Sequence, residues 1–272
     1  MTTVAFQGEP GAYSENAVYQ FFGPKVQVKP CRDFRDVFES VKKQEVEAGA
    51  VPVENSIEGS VNQNYDLFFN YDLKVCGEVI VKIAHCLIAN PGETLDSIKI
   101  VYSHPQALAQ CRSFLEHLKY ELIPAYDTAG SVKLIKEKNL QNAAAIASER
   151  AAELYGMQIL ARDIADNKEN YTRFFVISNE DSAPTGKDKT SIIFSATHEP
   201  GSLYHALGEF AKRKINLTRI ESRPTKKMLW EYNFYLDFEG HRTEPKCVEA
   251  LKALEKYATF IKILGSYPKA SY

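Results

Sequence analysis

Tyr171-Thr172-Arg173-Phe174 sets a hydroxyl, a guanidinium and an aromatic ring side by side. An anionic, partly apolar small molecule calls for that set. A guanidinium grips a carboxylate through two parallel hydrogen bonds. A threonine hydroxyl hydrogen-bonds a departing oxygen without bringing a second charge. Phe174 supplies an apolar wall. On local grounds a structural alternative stands beside this: a buried threonine and phenylalanine flanking a surface arginine. The neighbouring motifs weigh between the two.

Gly11-Ala12-Tyr13-Ser14, His104-Pro105-Gln106 and Asp127-Thr128 each read as a turn from a strand into a helix. Free backbone N–H groups at a helix start hold anions. Three such turns facing one cleft fit a dicarboxylate, although ordinary capping explains any one of them. Asn55 and Ser56 follow a buried strand, where its end would open into a cleft. Asn55 and Gln106 both donate and accept hydrogen bonds; the alternative for such a residue is a turn satisfying its own backbone. Glu54 is read as structural, because a carboxylate in a dianion site adds repulsion and its neutral form needs a large pKa shift. Of the six histidines, His104 alone falls in a motif, and it reads as a satisfied turn residue. His85, His117, His198, His205 and His241 lack metal-ligand spacing, so no metal is expected.

Taken in order, Ala5–Ser14, Val51–Gly59, Ser103–Gln106, Tyr126–Ala129 and Tyr171–Phe174 resemble the motifs of prephenate dehydratase. From about Thr190 the chain looks like the ACT regulatory domain that bacterial and archaeal members carry. The resemblance spans nearly all 272 residues. It implies decarboxylating dehydration of prephenate to phenylpyruvate, CO2 and water, in phenylalanine biosynthesis, with no cofactor. It matches Thr172, Asn55 and Gln106 to the family's catalytic residues, and Ser14, Ser56, Thr128, Arg173 and Phe174 are expected to bind substrate. It also implies an amino-acid effector site between two ACT domains, here Gly201, Ser202, Leu203, Asn216, Leu217, Glu221 and Ser222. L-phenylalanine inhibition and a homodimer or homotetramer follow from it. Glu221-Ser222-Arg223-Pro224 matches the family motif fully, whereas Gly-Ser-Leu-Tyr at 201–204 stands where Gly-Ala-Leu-Val is common. Tyr204 is bulkier than valine, which bears on effector affinity and identity. Deleting the residues after Asp188 is expected to leave activity and abolish inhibition. Arogenate dehydratase is the near alternative. A non-catalytic, two-lobed amino-acid-binding sensor is the alternative of another class, and it would not need Thr172, Asn55 and Gln106 together.

Composition bounds these readings. Hydrophobic residues at 44% and charged residues at 25% describe a globular protein. A net charge of −2 gives no long-range field for nucleic acid or membrane, so an anion site has to be a local concentration of donors. The opening residues Met1-Thr2-Thr3-Val4 show neither a basic stretch nor a signal-like apolar run. The five cysteines are scattered and form no CxxC pair. A cytoplasmic location is expected.

The elements that must position the motifs alternate strand and helix through the first 175 or so residues. Val4–Gln7 reads as a strand, Asp33 as the cap of a helix facing inward through Phe34, Val37, Phe38 and Val41, and Gly49–Val53 as a buried strand. Val75–Ile88, rich in β-branched residues, reads as crossing the middle of the domain, Pro105–Leu115 as a helix, and Gln158–Leu160 and Arg173–Ile177 as closing strands. Two α/β sets of this size predict two lobes with a cleft between them; the resemblance implies a periplasmic-binding-protein-like arrangement. The catalytic domain is expected over 1–180 and the ACT domain over 189–272, with Asn179–Asp188 as linker. In the second domain Ser191–Thr197, Leu217–Ser222, Trp230–Phe238 and Phe260–Ser266 are read as strands, and Ser202–Arg213 and Pro245–Tyr257 as helices. That β-α-β-β-α-β order is ferredoxin-like.

Overall fold

The computed structural model describes residues 2–225 and 231–271; Trp230 lies outside the described residues. In β1 (Thr3–Gln7), Val4, Ala5 and Phe6 are buried in succession, as in a strand covered on both faces. Next come α1 (Tyr13–Phe22), β2 (Gln27–Cys31) and α2 (Phe34–Lys42). Asp33 caps α2, accepting the Asp36 N–H at 3.1 Å, and Val37, Phe38 and Val41 are buried beneath. The first lobe continues through β3 (Ala48–Asn55), β4 (Gly59–Ser60), α3 (Asn62–Asn70) and β5 (Lys74–Lys82).

The β-branched segment Val75–Ile88 spans parts of two strands. β5 ends at Lys82, and β6 (Cys86–Ala89) belongs to the second sheet, so residues 83–85 cross between lobes. The second lobe runs through β7 (Ile100–Ser103), α4 (Pro105–Gln110), α5 (Arg112–Glu116) and β8 (Glu121–Pro124). It finishes with α6 (Thr128–Lys138), β9 (Ala143–Ala147), α7 (Glu149–Tyr155) and β10 (Gln158–Ala161). The helix expected over Pro105–Leu115 is interrupted at Cys111, whose ψ of 22° leaves the helical well. β11 (Tyr171–Ser178) returns to the first sheet, which has the order β2-β1-β3-β11-β5 with β4 on β3. The second sheet has the order β10-β6-β9-β7-β8. At Gly11 the lobes meet closely. A Cβ there would stand 2.8 Å from Ala151 Cα of α7, and φ of +93° suits glycine.

The remaining elements are β12 (Asp188–Ala196), α8 (Ser202–Lys212), β13 (Leu217–Pro224), β14 (Tyr232–Glu239), α9 (Pro245–Leu254) and β15 (Ala258–Pro268). They form an antiparallel sheet of order β13-β14-β12-β15, the ferredoxin-like arrangement, with Phe194, Phe210, Leu236 and Phe238 in its core. The opposite face of this sheet covers the first lobe. Ile193, Tyr235, Leu264 and Tyr267 share one core with Val51, Tyr65, Phe68 and Phe175. Deleting the residues after Asp188 would strip that cover from the first lobe, so the expectation that activity survives the deletion does not fit the shared core.

Candidate active site

β11 pairs antiparallel with both β3 and β5, and its register delivers the site. Thr172 stands opposite Asn55, and Arg173 opposite Glu54. Successive strand residues point to opposite faces. Thr172 and Phe174 therefore look into the space between the lobes, while Arg173 and Phe175 look toward the C-terminal sheet. A cleft of about 550 Å³ opens between the lobes, within the usual size for a small-molecule site. Thr172, Asn55, Gln106, Ser14, Thr128 and Phe174 all line it.

The Asn55 amide is locked in one orientation. Its Oδ1 accepts the backbone N–H groups of Ile57 and Glu58, both at 3.0 Å. Its Nδ2 must then be the edge facing Asn170 Oδ1 at 2.7 Å and Thr172 Oγ1 at 2.9 Å. Because Nδ2 can only donate, Thr172 accepts from it, and the threonine's own O–H is left to donate elsewhere. Asn55 is buried and saturated, so it positions Thr172.

The network runs on across the cleft. Asn170 Nδ2 donates to Gln110 Oε1 at 3.0 Å, and that oxygen lies 3.1 Å from His85 Nε2. The other ring nitrogen of His85 is 3.0 Å from the Tyr13 hydroxyl, itself 2.8 Å from the Ala84 carbonyl; with Nε2–H donating to Gln110, a neutral His85 accepts at Nδ1 from the Tyr13 O–H. Burial pushes the His85 pKa below the usual histidine value, against the opposing hydrogen bond that His85 donates to Gln110. Burial also lowers that of His104, with Asp127 opposing. Both imidazoles are therefore held neutral near pH 7. His104 caps α4, its Nδ1 accepting from the Gln106 N–H at 3.2 Å. Asp127 caps α6, accepting from Gly130 N–H, and also accepts the Glu9 N–H at 3.0 Å. The walls thus present neutral amides, hydroxyls and imidazoles around Thr172.

Two expected substrate residues lie elsewhere. Arg173 does not line the cleft. Its guanidinium is buried against Glu78 at 2.7 Å, Asp237 at 2.6 Å and the Tyr267 hydroxyl at 3.0 Å. The cause is the strand's two-residue period, which cannot aim Thr172 and Arg173 at one ligand. Ser56 is also outside the cleft lining. Its hydroxyl donates to the Glu169 carbonyl at 3.1 Å and accepts the Tyr171 N–H at 3.0 Å, tying the loop after β3 to the entry of β11. Glu54, read as structural, lies 3.7 Å from both Arg173 and Arg219.

Sequence reasoning missed Gln110, Asn170, His85, Tyr13 and Arg32. Gln110 follows Gln106 by four residues on one helix, a spacing that marks a shared face. Asn170 directly precedes the Tyr171 motif. His85 carries no local signal, because its place depends on where the chain crosses between lobes. Among the described residues no group of His, Cys, Asp and Glu could hold a metal ion.

A second cavity, about 710 Å³, lies at the start of α8 and is lined by Gly201, Ser202 and Leu203, with Tyr204. The other expected effector residues fall apart from it. The Asn216 amide donates to Glu239 at 3.3 Å, and Leu217, where β13 begins, does not line the cavity either. Glu221 hydrogen-bonds Ser60 and Arg219, on the side of the first lobe, and Ser222 is exposed on the opposite face of β13. β14 lies between the edge strand β13 and the helix start after β12, and within one chain none of Asn216, Leu217, Glu221 and Ser222 lines the cavity.

The comparisons follow the same division. The family model described as prephenate dehydratase matches residues 4–182, and the ACT domain model matches 190–256. A bifunctional chorismate mutase/prephenate dehydratase of Aquifex aeolicus is 46% identical, covering 98% of this chain and 74% of its own length. Arogenate dehydratase/prephenate dehydratase 2 of Arabidopsis thaliana is 44% identical, covering 97% and 72%. The solved prephenate dehydratase of Arthrobacter aurescens in complex with L-Phe superposes with a TM-score of 0.90 at 34% identity, covering 99% of this chain and 90% of that one. A protein described as a quorum quenching acylase, GqqA, superposes equally well, also at 34% identity and covering 98% of each chain. Both family models fit in chain order, and Thr172, Asn55 and Gln106 meet in one cleft: the chain belongs to the prephenate dehydratase family, a carbon–oxygen lyase with an ACT domain after its catalytic region.

Proposed function

We propose that the cleft converts prephenate to phenylpyruvate, CO2 and water, with Thr172 at the departing hydroxyl. As the C–CO2 bond breaks, its electron pair moves into the ring and the para C–O bond breaks. The ring becomes aromatic, and the leaving oxygen takes one proton. The observation that carries this reading is the Thr172 hydroxyl, which accepts from a locked Asn55 amide at 2.9 Å and so keeps its own proton for the cleft. A threonine is a weak acid. Its part is a positioned hydrogen bond to developing negative charge, a type of contact whose loss typically costs about 10²–10³ in rate. Gln106, Ser14 and Thr128 surround the substrate, with Phe174 beneath the ring. Arogenate shares the ring and both leaving groups, and the cleft as described favours neither side chain. Assaying the purified protein with prephenate and with arogenate side by side tests the reading; absence of turnover with both would overturn it.

L-phenylalanine is the proposed inhibitor, at the cavity beside Gly201, Ser202 and Leu203. Glu221 and Ser222 lie away from that cavity within one chain, so a site drawing on both motifs takes two copies. We propose with it a homodimer or homotetramer, a cytoplasmic location and a functional division within residues 181–188. Titrating the intact enzyme with phenylalanine, following heat and activity together, tests the regulation; binding without any change in activity would remove it.

A further inference from the structure

Arg173 was expected to hold the substrate's charge, and the fold spends it elsewhere. Among the described residues, Arg32 is the one lysine or arginine lining the cleft. It is exposed, in the turn between β2 and α2, and its guanidinium makes no hydrogen bond or ion pair with any described residue. Cations nearby are engaged: Arg150 is 3.0 Å from Glu15, and Lys133 is 2.9 Å from Glu9. The two carboxylates on the cleft wall, Asp33 and Asp127, already cap helices. A dianion entering this cleft meets them as repulsion, with Arg32 as the only fixed positive charge among the described residues that line it.

The position of Arg32 also sorts the substrate's carboxylates. In prephenate the leaving hydroxyl lies para to the ring carbon that bears both the ring carboxylate and the pyruvyl side chain. With the hydroxyl at buried Thr172, both carboxylates point to the opposite end of the ring, toward the mouth. Arg32 is there: its carbonyl is 3.5 Å from the Gln7 side-chain amide, which also donates at 3.0 Å to the hydroxyl of exposed Tyr126 from the other lobe. Only one carboxylate suits it. The ring carboxylate leaves as uncharged CO2, and an ion pair to it would be stronger in the ground state than in the transition state and would slow the reaction. The pyruvyl carboxylate keeps its charge throughout. We infer that Arg32 anchors the side-chain carboxylate of the substrate, the one retained in the product.

This inference rests on the proposed reaction, and its test separates the two. Arg32→Gln and Arg32→Lys are compared with wild type by steady-state kinetics on prephenate and by inhibition with phenylpyruvate, which keeps only the side-chain carboxylate. Melting temperatures of the same samples check folding. Arg32→Gln is expected to raise KM roughly 10- to 100-fold with kcat nearly unchanged, since uniform binding is lost. The phenylpyruvate inhibition constant should rise by a similar factor, with the lysine variant in between. An unchanged KM in a folded Arg32→Gln protein overturns the inference. So does a raised KM with unchanged phenylpyruvate inhibition, because Arg32 would then hold the ring carboxylate. If wild type turns over neither prephenate nor arogenate, the proposed reaction fails. Calorimetric titration of both proteins with phenylpyruvate still decides Arg32: weaker binding in the variant supports the anchor, and equal binding overturns it.

Discussion

On one face of β11, Thr172 and Phe174 meet the cleft among neutral amides and imidazoles. On the other, Arg173 lies under the C-terminal sheet with Glu78, Asp237 and the Tyr267 hydroxyl, and stacks over Phe175 at 4.6 Å. Lys189 joins Glu78 at 3.0 Å, and Ser191 donates to Asp237 at 2.5 Å. The strand thus separates a neutral reaction surface from a buried, fully paired charge cluster one residue away. A cation held by two carboxylates has little left for a ligand, and a hydroxyl facing the cleft has little to add to the core. The comparison teaches that adjacent motif residues serve different parts of the molecule. It predicts that stability and turnover can be damaged separately.

The largest effect belongs to the charged face. Arg173→Leu leaves the buried Glu78 and Asp237 carboxylates short of a partner. Breaking a buried pair from one side costs about 3–5 kcal/mol. At roughly 2–4 °C per kcal/mol, the melting temperature should fall by about 10 °C. Calorimetry on purified protein measures this. A melting temperature equal to wild type, with a raised KM, would return Arg173 to the cleft and undo the contrast.

Thr172→Val tests the other face. The variant is nearly isosteric, and Asn55 Nδ2 keeps Asn170 and the Tyr171 carbonyl as acceptors. The melting temperature should hardly move, while kcat falls by about 10²–10³. Near-normal turnover removes Thr172 from the mechanism. A smaller loss is expected at Asn55→Asp, where a carboxylate oxygen replaces the amide donor that faces Thr172. The threonine hydroxyl would then donate to that new carboxylate instead of to the substrate, and kcat should drop roughly 10- to 100-fold. Equal kcat in the aspartate variant would mean that the donated bond does not orient Thr172.

Much of this division is legible in the chain. Thr172, Asn55 and Gln106 come together as their motifs suggest, because Asn55 ends β3, Thr172 stands near the start of β11 and Gln106 near the start of α4 at the cleft. Arg173 is misassigned by its motif although the warning is present: Arg173–Ile177 reads as a strand, and a strand alternates. The C-terminal strands and helices are readable within a few residues, since each carries its own periodicity and turn. The interface is not. Asp237 and Glu78 lie 64 and 95 residues from Arg173, and nothing local says which strand face a charge will meet. β2 also escapes the sequence; its Gln-Val-Lys-Pro-Cys run shows too little apolar alternation to announce an edge strand.

The smallest effect is a titration of the charged face. Burial alone would raise the Asp237 carboxyl, but Arg173 and Arg219 more than offset it and hold it below the usual carboxylate range. The folded state therefore binds this proton less readily than the unfolded state, whose value is about 3.9. The sign follows: the stability from this group is present above about pH 4 and is lost as pH falls through the depressed folded value. Other carboxylates titrate in the same range, so wild type alone does not isolate it. Asp237→Asn does, because it keeps the shape and removes the charge. The melting-temperature gap between wild type and Asp237→Asn should be wide at pH 7 and close as pH falls below about 4. A gap of the same width at about pH 3, below the unfolded value, would assign Asp237's contribution to hydrogen-bond geometry with Ser191 and Arg173 rather than to charge. The contrast between a neutral face and an ionic one would then rest on Glu78 alone.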